Sequence, residues 1–137
     1  MTPSAWAAGL DFLAAALHIA IIIGGPAWYR FFGAGERMAR WAEQGRPGPA
    51  LLTAGIALAL AGFGLYTLSL DGRFEALPWR REVVWAITGV YAVRAVAVMG
   101  LAPWMATMRT PFMLGSSLIC GLYALVHWWA LRATVQL

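Results

Sequence analysis

VVWAITGVYAVRAVAVMGLAP, residues 83–103, is a nearly unbroken apolar run with one charge, Arg94, close to its middle. A helix needs roughly 20 apolar residues to cross about 30 Å of hydrocarbon, and this run meets that length. Three more runs of the same kind, approximately 5–25, 50–70 and 112–132, make four predicted transmembrane helices. The composition agrees: with 61% hydrophobic and 12% charged residues in 137, the chain is too apolar for a water-soluble domain of its size. The expected fold class is all-α, a polytopic membrane protein folded as an up-down-up-down four-helix bundle, one domain over 1–137. The expected location is a bacterial inner membrane, multi-pass.

The breaks between runs are marked by helix-ending residues. Gly24-Gly25-Pro26 closes the first helix, Arg46-Pro47-Gly48-Pro49 precedes the second, Asp71-Gly72 follows it, and Pro103 and Pro111 bracket the last short loop. The first run differs from a signal peptide in having no basic residue before it and Asp11 inside it, so it reads as a retained helix. Residues 34–44 read as a short interfacial helix, with Met38 and Trp41 on one side, Arg37 and Arg40 on another, and Glu36 four residues before Arg40. On the alternating path all eight tryptophans fall near a headgroup level, five on the N-terminal side and Trp28, Trp41 and Trp104 on the other. The arginines do not choose an orientation: Arg73, Arg80, Arg81 and Arg132 collect on the first side, Arg30, Arg37, Arg40, Arg46 and Arg109 on the second.

Charge and cysteine narrow the function classes. The net charge of +4 suits contact with anionic lipid headgroups, and membrane lipids are the expected partners. The arginines form no continuous basic face, which argues against nucleic acid. A lone cysteine, Cys120, makes neither an intramolecular disulfide nor a thiolate metal cluster.

Polar residues in the spans follow helical spacing. Ser116, Cys120, Tyr123 and His127 form one stripe of the fourth helix; Asp11, Ala15 and His18 share a face of the first; Ile87, Tyr91, Arg94 and Val98 share one of the third. In the second, Gly55, Ala59, Gly62 and Tyr66 make a small-residue face with a phenol at its end. At about 1.5 Å per residue from the N-terminal side, Tyr66, His127 and Asp11 lie roughly 6–9 Å deep, and Tyr91 and Tyr123 roughly 12–14 Å. Arg94, Cys120 and His18 lie roughly 17–20 Å deep, and Ser116 roughly 24 Å. The candidate ligand-binding or proton-relay residues are therefore Asp11, His18, Tyr66, Tyr91, Arg94, Cys120, Tyr123 and His127. A charge at the bilayer centre costs about 2.5–3.5 kcal/mol on the insertion scale, so Arg94 is expected to pair with Asp11, directly or through a tyrosine or water. Such a pair can equally serve to fix helix register.

Other chemistries fare worse. Two axial haem ligands must lie within about 4 Å of one plane, whereas His18 and His127 differ by about 12 Å in height, so no haem and no other cofactor is expected. Cys120 and His127 sit about 11 Å apart along one helix, too far for nucleophile activation, and the His, Asp and Cys residues have no metal-site spacing.

The stretches GGPAWYRFFGAGERMARWA (24–42) and SSLICGLYALVHWWAL (116–131) resemble a group of small bacterial four-helix integral membrane proteins to which no activity is attached. The resemblance covers nearly the whole chain and implies the fold while leaving the function open. A much weaker likeness, in size and helix-borne polar residues, is to DoxX-like proteins and to sterol-isomerase-type four-helix domains, with no shared motif. The leading expectation is a binding or transport protein, a homo-oligomer such as a dimer, whose polar centre at Arg94 holds a small polar or anionic ligand or relays protons. The alternatives are a membrane enzyme acting on a lipid-like or isoprenoid substrate through Asp11 or His127, and an accessory subunit with a purely structural polar core.

Overall fold

Glycine and proline set the helix ends in the order the sequence suggests. The computed structural model describes residues 1–72 and 75–134; Arg73, counted above toward one side, lies outside the described residues. The helices are α1 (Pro3–Gly24), α2 (Pro26–Phe31), α3 (Glu36–Glu43), α4 (Gly48–Leu68), α5 (Arg80–Leu101) and α6 (Pro111–Ala133), with 3₁₀ turns at Ser69–Asp71 and Ala106–Met108. No strand occurs among the described residues. The ends of the four long helices fall within three residues of the expected ones, α5 beginning at Arg80 instead of 83.

Those four helices are long and apolar enough to cross a membrane. Only 22% to 33% of each span is buried within the chain, so most of its surface faces outward. That outward surface carries Leu13, Leu58, Val93, Val96, Leu118 and Leu125, all more than half exposed. A surface of this kind belongs in hydrocarbon, and the chain is a multi-pass membrane protein.

α2 departs from the expectation of a plain break. Gly25 adopts φ 70°, a left-handed conformation that ends α1, and Pro26 then opens a new helix at a position where its missing N–H is not needed. Gly24 is required for a different reason: a Cβ there would lie 2.2 Å from Cγ of Trp28, whose ring packs against the bare backbone.

The chain falls into two compact units, Asp11–Gly62 and Met1–Leu10 with Phe63–Leu137. In the first, α2 packs on α3. Ile21, Tyr29 and Ala39 form its buried core, with Phe32 and Ala42 packed against them. Arg30 ties the two short helices from outside, bonding Glu36 at 2.9 Å and Glu43 at 2.8 Å. The Arg30 guanidinium holds the Glu36 carboxyl below the usual carboxylate range. α3 presents Met38, Ala39, Trp41 and Ala42 to the protein and Glu36, Arg37, Arg40 and Glu43 outward.

α4 turns a face other than its glycine stripe inward. Thr53, Ala57, Leu60 and Thr67 are buried, whereas Gly55 and Ala59 are exposed. Thr53 sets this rotation: its Oγ1 donates to the Pro49 carbonyl at 2.8 Å and lies 3.3 Å from the hydroxyl of buried Tyr29.

In the second unit α5 and α6 are antiparallel neighbours. Arg81 meets Thr134 at one end, Tyr91 meets Tyr123, and a Cβ on Gly121 would touch that of Ala95 at 3.8 Å. α5 buries Val84, Ile87, Thr88, Tyr91, Ala95 and Val98, a stripe of helical period. Lipid tails are as apolar as these side chains, so the association rests on close packing over small residues such as Ala95, Gly121 and Ala124. The end of α4 is closed by Arg80, whose Nη1 donates to the Ser69 carbonyl at 2.8 Å.

Candidate functional site

Two polar clusters lie one above the other on the α5–α6 pair. The one nearer the α6 C-terminal end gathers three expected residues. The Tyr91 ring stands 5.2 Å from that of Tyr123 and 5.3 Å from the imidazole of His127, with Phe63 of α4 6.2 Å away on an edge. His127 is fully buried, and its Nδ1 is 2.8 Å from the Tyr123 carbonyl one turn back. A carbonyl only accepts, so Nδ1 carries the proton of this bond. The Tyr123 hydroxyl donates to the Leu10 carbonyl of α1 at 2.9 Å.

The second cluster is built around Arg94. Its Nη1 donates to Ser117 Oγ at 3.3 Å, and its Nη2 to Ser116 Oγ at 3.3 Å and to Met113 Sδ at 3.6 Å. α6 prepares these acceptors. Ser116 and Ser117 donate their own protons to the Met113 carbonyl at 3.0 and 2.8 Å, which leaves their lone pairs facing the guanidinium. Thr110 starts this helix by accepting from the Met113 N–H, with Pro111 at its first position.

The charge sits away from the middle of α6. Ala95 is level with Gly121, yet the groups that hold Arg94 are at 113, 116 and 117, nearer the start of α6. The side chain therefore runs along α6 toward its N-terminal end, the direction a long basic side chain takes when it reaches for a membrane surface. All three acceptors are neutral. In the other unit, by contrast, Arg30 pairs with Glu36 and Glu43, and Arg40 with Glu36. A guanidinium has five N–H donors, and three are used; one on Nη1 and that on Nε have no acceptor among the described residues.

The remaining expected residues are placed as follows. Asp11 is fully buried on α1 within the other unit, as is the α1 face carrying half-buried His18, whose Nδ1 bonds the Ala14 carbonyl at 2.7 Å. Tyr66 is half-buried near the end of α4, where its carbonyl accepts from Ser69 at 2.6 Å. Cys120 is a free, half-buried thiol one turn beyond the serines. Among the described residues no three His, Cys, Asp or Glu side chains converge as a metal site would require. Met113 and Ser117 are the members that the spacing argument did not find. Neither a family model, nor a curated protein, nor a solved structure matches the chain.

Proposed function

We propose that this chain is a bacterial inner-membrane protein that binds a small anionic group at Arg94. The observation that carries the reading is a permanent charge on a membrane-spanning helix, met by three neutral acceptors, with two N–H donors to spare. In a medium of low dielectric such a cation gains most from an anion. Binding is favoured over conduction because the surface beside the site is apolar, built from residues such as Ala92, Ala95, Leu118 and Gly121.

In this reading the four long helices alternate up and down, and α3 lies along the membrane surface with Arg37 and Arg40 toward water. The outward Gly55 and Ala59 face of α4 supports packing against a second copy, since small residues let helix backbones approach. The enzyme alternative would use Asp11 or His127, and both side chains are fully buried in the chain, which speaks for binding instead.

The test is saturable binding of inorganic phosphate and glycerol phosphate to the detergent-solubilised protein. Arg94→Gln should weaken it by about tenfold or more, the worth of a charge-assisted hydrogen bond. Arg94→Lys should retain part of it, as a point charge without the fork. Equal binding by wild type and Arg94→Gln sinks the reading.

A further inference from the structure

A groove of about 610 Å³ runs along the outer side of the α5–α6 pair, with Ala92, Ala95, Ser117, Gly121, Ala124 and Trp128 in its walls. Its two hydroxyls are turned away: Thr88 Oγ1 donates to the Val84 carbonyl and Ser117 Oγ to that of Met113. What faces the groove is hydrocarbon. Along α5 it extends from Thr88 to Met99, and along α6 from Ser117 to Trp128. Eleven residues at about 1.5 Å each give a length of about 16 Å, close to the half-thickness of a hydrocarbon core of about 30 Å.

Ser117 belongs to both features. It lines the groove at the end nearest the start of α6, and it accepts from Arg94 at 3.3 Å. Arg94 does not itself line the groove; through Ser117 its guanidinium is held beside the end of the trough nearest the start of α6. Exposed Arg109, in the loop before α6, adds a second positive charge at that end.

We infer that the groove and Arg94 together form a binding site for an anionic phospholipid, with the phosphate at Arg94 and one acyl chain along the α5–α6 trough. The inference rests on the anion-binding reading of Arg94 and names its ligand class. Charge decides the occupant. A helix from a second copy would fill an apolar trough equally well, but it brings no carboxylate to Arg94: Asp11 is buried, and Glu36 and Glu43 are engaged by Arg30. Asp71, Glu75 and Glu82 belong to the opposite end of α5. A lipid phosphate at the membrane surface is the anion within reach, and its tail matches the trough in length and polarity.

The experiment is native mass spectrometry of the intact protein in detergent, offered phosphatidylglycerol and phosphatidylcholine of identical chains, with glycerol phosphate as the chainless control. Wild type should retain phosphatidylglycerol at least about tenfold over phosphatidylcholine, and Arg94→Gln should bring that ratio close to one. Ala92→Trp, which fills the trough, should lower retention of phosphatidylglycerol while leaving glycerol phosphate binding unchanged. Leu122→Trp repeats the test from α6 should the first variant fail to fold. If glycerol phosphate binds in an Arg94-dependent way but trough filling does not alter lipid retention, the lipid inference is overturned and the anion site stands. If Arg94→Gln leaves both lipid and glycerol phosphate binding unchanged, both readings fall. Loss of an oligomer in Ala92→Trp, with lipid retention intact, would assign the trough to a second copy and overturn the proposal.

Discussion

Removing the two serines that hold Arg94 tests whether they exist for that residue. Hydrogen bonds to a charged group contribute about 1.5–3 kcal/mol each at good geometry. Those from Arg94 to Ser116 and Ser117 are long, 3.3 Å each. About 1 kcal/mol apiece is therefore reasonable, and Ser116→Ala with Ser117→Ala should destabilise the protein by about 2 kcal/mol. With Arg94→Met the balance changes. The same two substitutions should then cost nothing, or stabilise by up to about 0.5 kcal/mol. Alanine is the better helix former, and the bonds from both serines to the Met113 carbonyl compete with the helix ladder. The coupling across the double-mutant cycle should thus be about 2 kcal/mol. Reversible unfolding in mixed detergent micelles, followed by helicity, gives each corner. Coupling below about 0.5 kcal/mol would refute the assignment of the serines as the guanidinium's anchors. Arg94→Met by itself should stabilise by about 1–2 kcal/mol, less than the cost of a charge at the bilayer centre because the guanidinium is drawn toward the surface.

Three further outcomes follow from particular contacts. Gly24→Ala places a Cβ 2.2 Å from the Trp28 ring, so Trp28 must swing out, with a loss of about 2 kcal/mol in thermal unfolding that Trp28→Ala relieves; an unchanged melting point would contradict it. Glu36 has its folded pKa depressed by Arg30, so its contribution is full above the ordinary glutamate range and is lost as pH falls through the lowered value. Acidification should loosen α3 from α2, seen as a change in Trp41 fluorescence (by difference from Trp41→Phe) that Glu36→Gln already shows at neutral pH; pH-independent Trp41 emission would count against it. Tyr123→Phe removes the bond to the Leu10 carbonyl and should cost about 1 kcal/mol of stability in the same micelle assay, with a neutral result excluding that tie between α6 and α1.

The long helices were legible because a bilayer leaves few options: an apolar run of the right length must satisfy its backbone internally, and a helix does so. Their ends were legible through Pro111, Pro26 and the Gly24-Gly25 pair. What composition alone hides is rotation. Gly55 and Ala59 look like the natural packing face of α4, yet the pairing of Thr53 with Tyr29 turns Ala57 and Leu60 inward. A hydroxyl bond fixes an angle about the helix axis, while a row of small residues only permits one. α2 was invisible for a related reason. Six residues are too few to show a period, and Pro26 reads as a stop although it starts the next helix.

Arg94 shows where height arithmetic ends and chain connectivity takes over. Ordering residues by depth put the charge near mid-membrane and sought a carboxylate, because opposite charge is the obvious remedy for a buried cation. The connection between α5 and α6 is short, from 102 to 110, which makes these helices antiparallel neighbours and sets Arg94 opposite the middle of α6, with the first half of that helix within its reach. Ser116, Ser117 and Met113 are then the side chains within an arginine's reach toward the surface, and their acceptors are what the structure supplies. Neutral acceptors disperse a charge but do not cancel it. A protein that needed Arg94 only as a lock would gain more from a fixed carboxylate beside it. A cation kept on dipoles, with N–H donors to spare and an apolar trough at its side, is instead suited to an anion that arrives and leaves with a hydrocarbon tail.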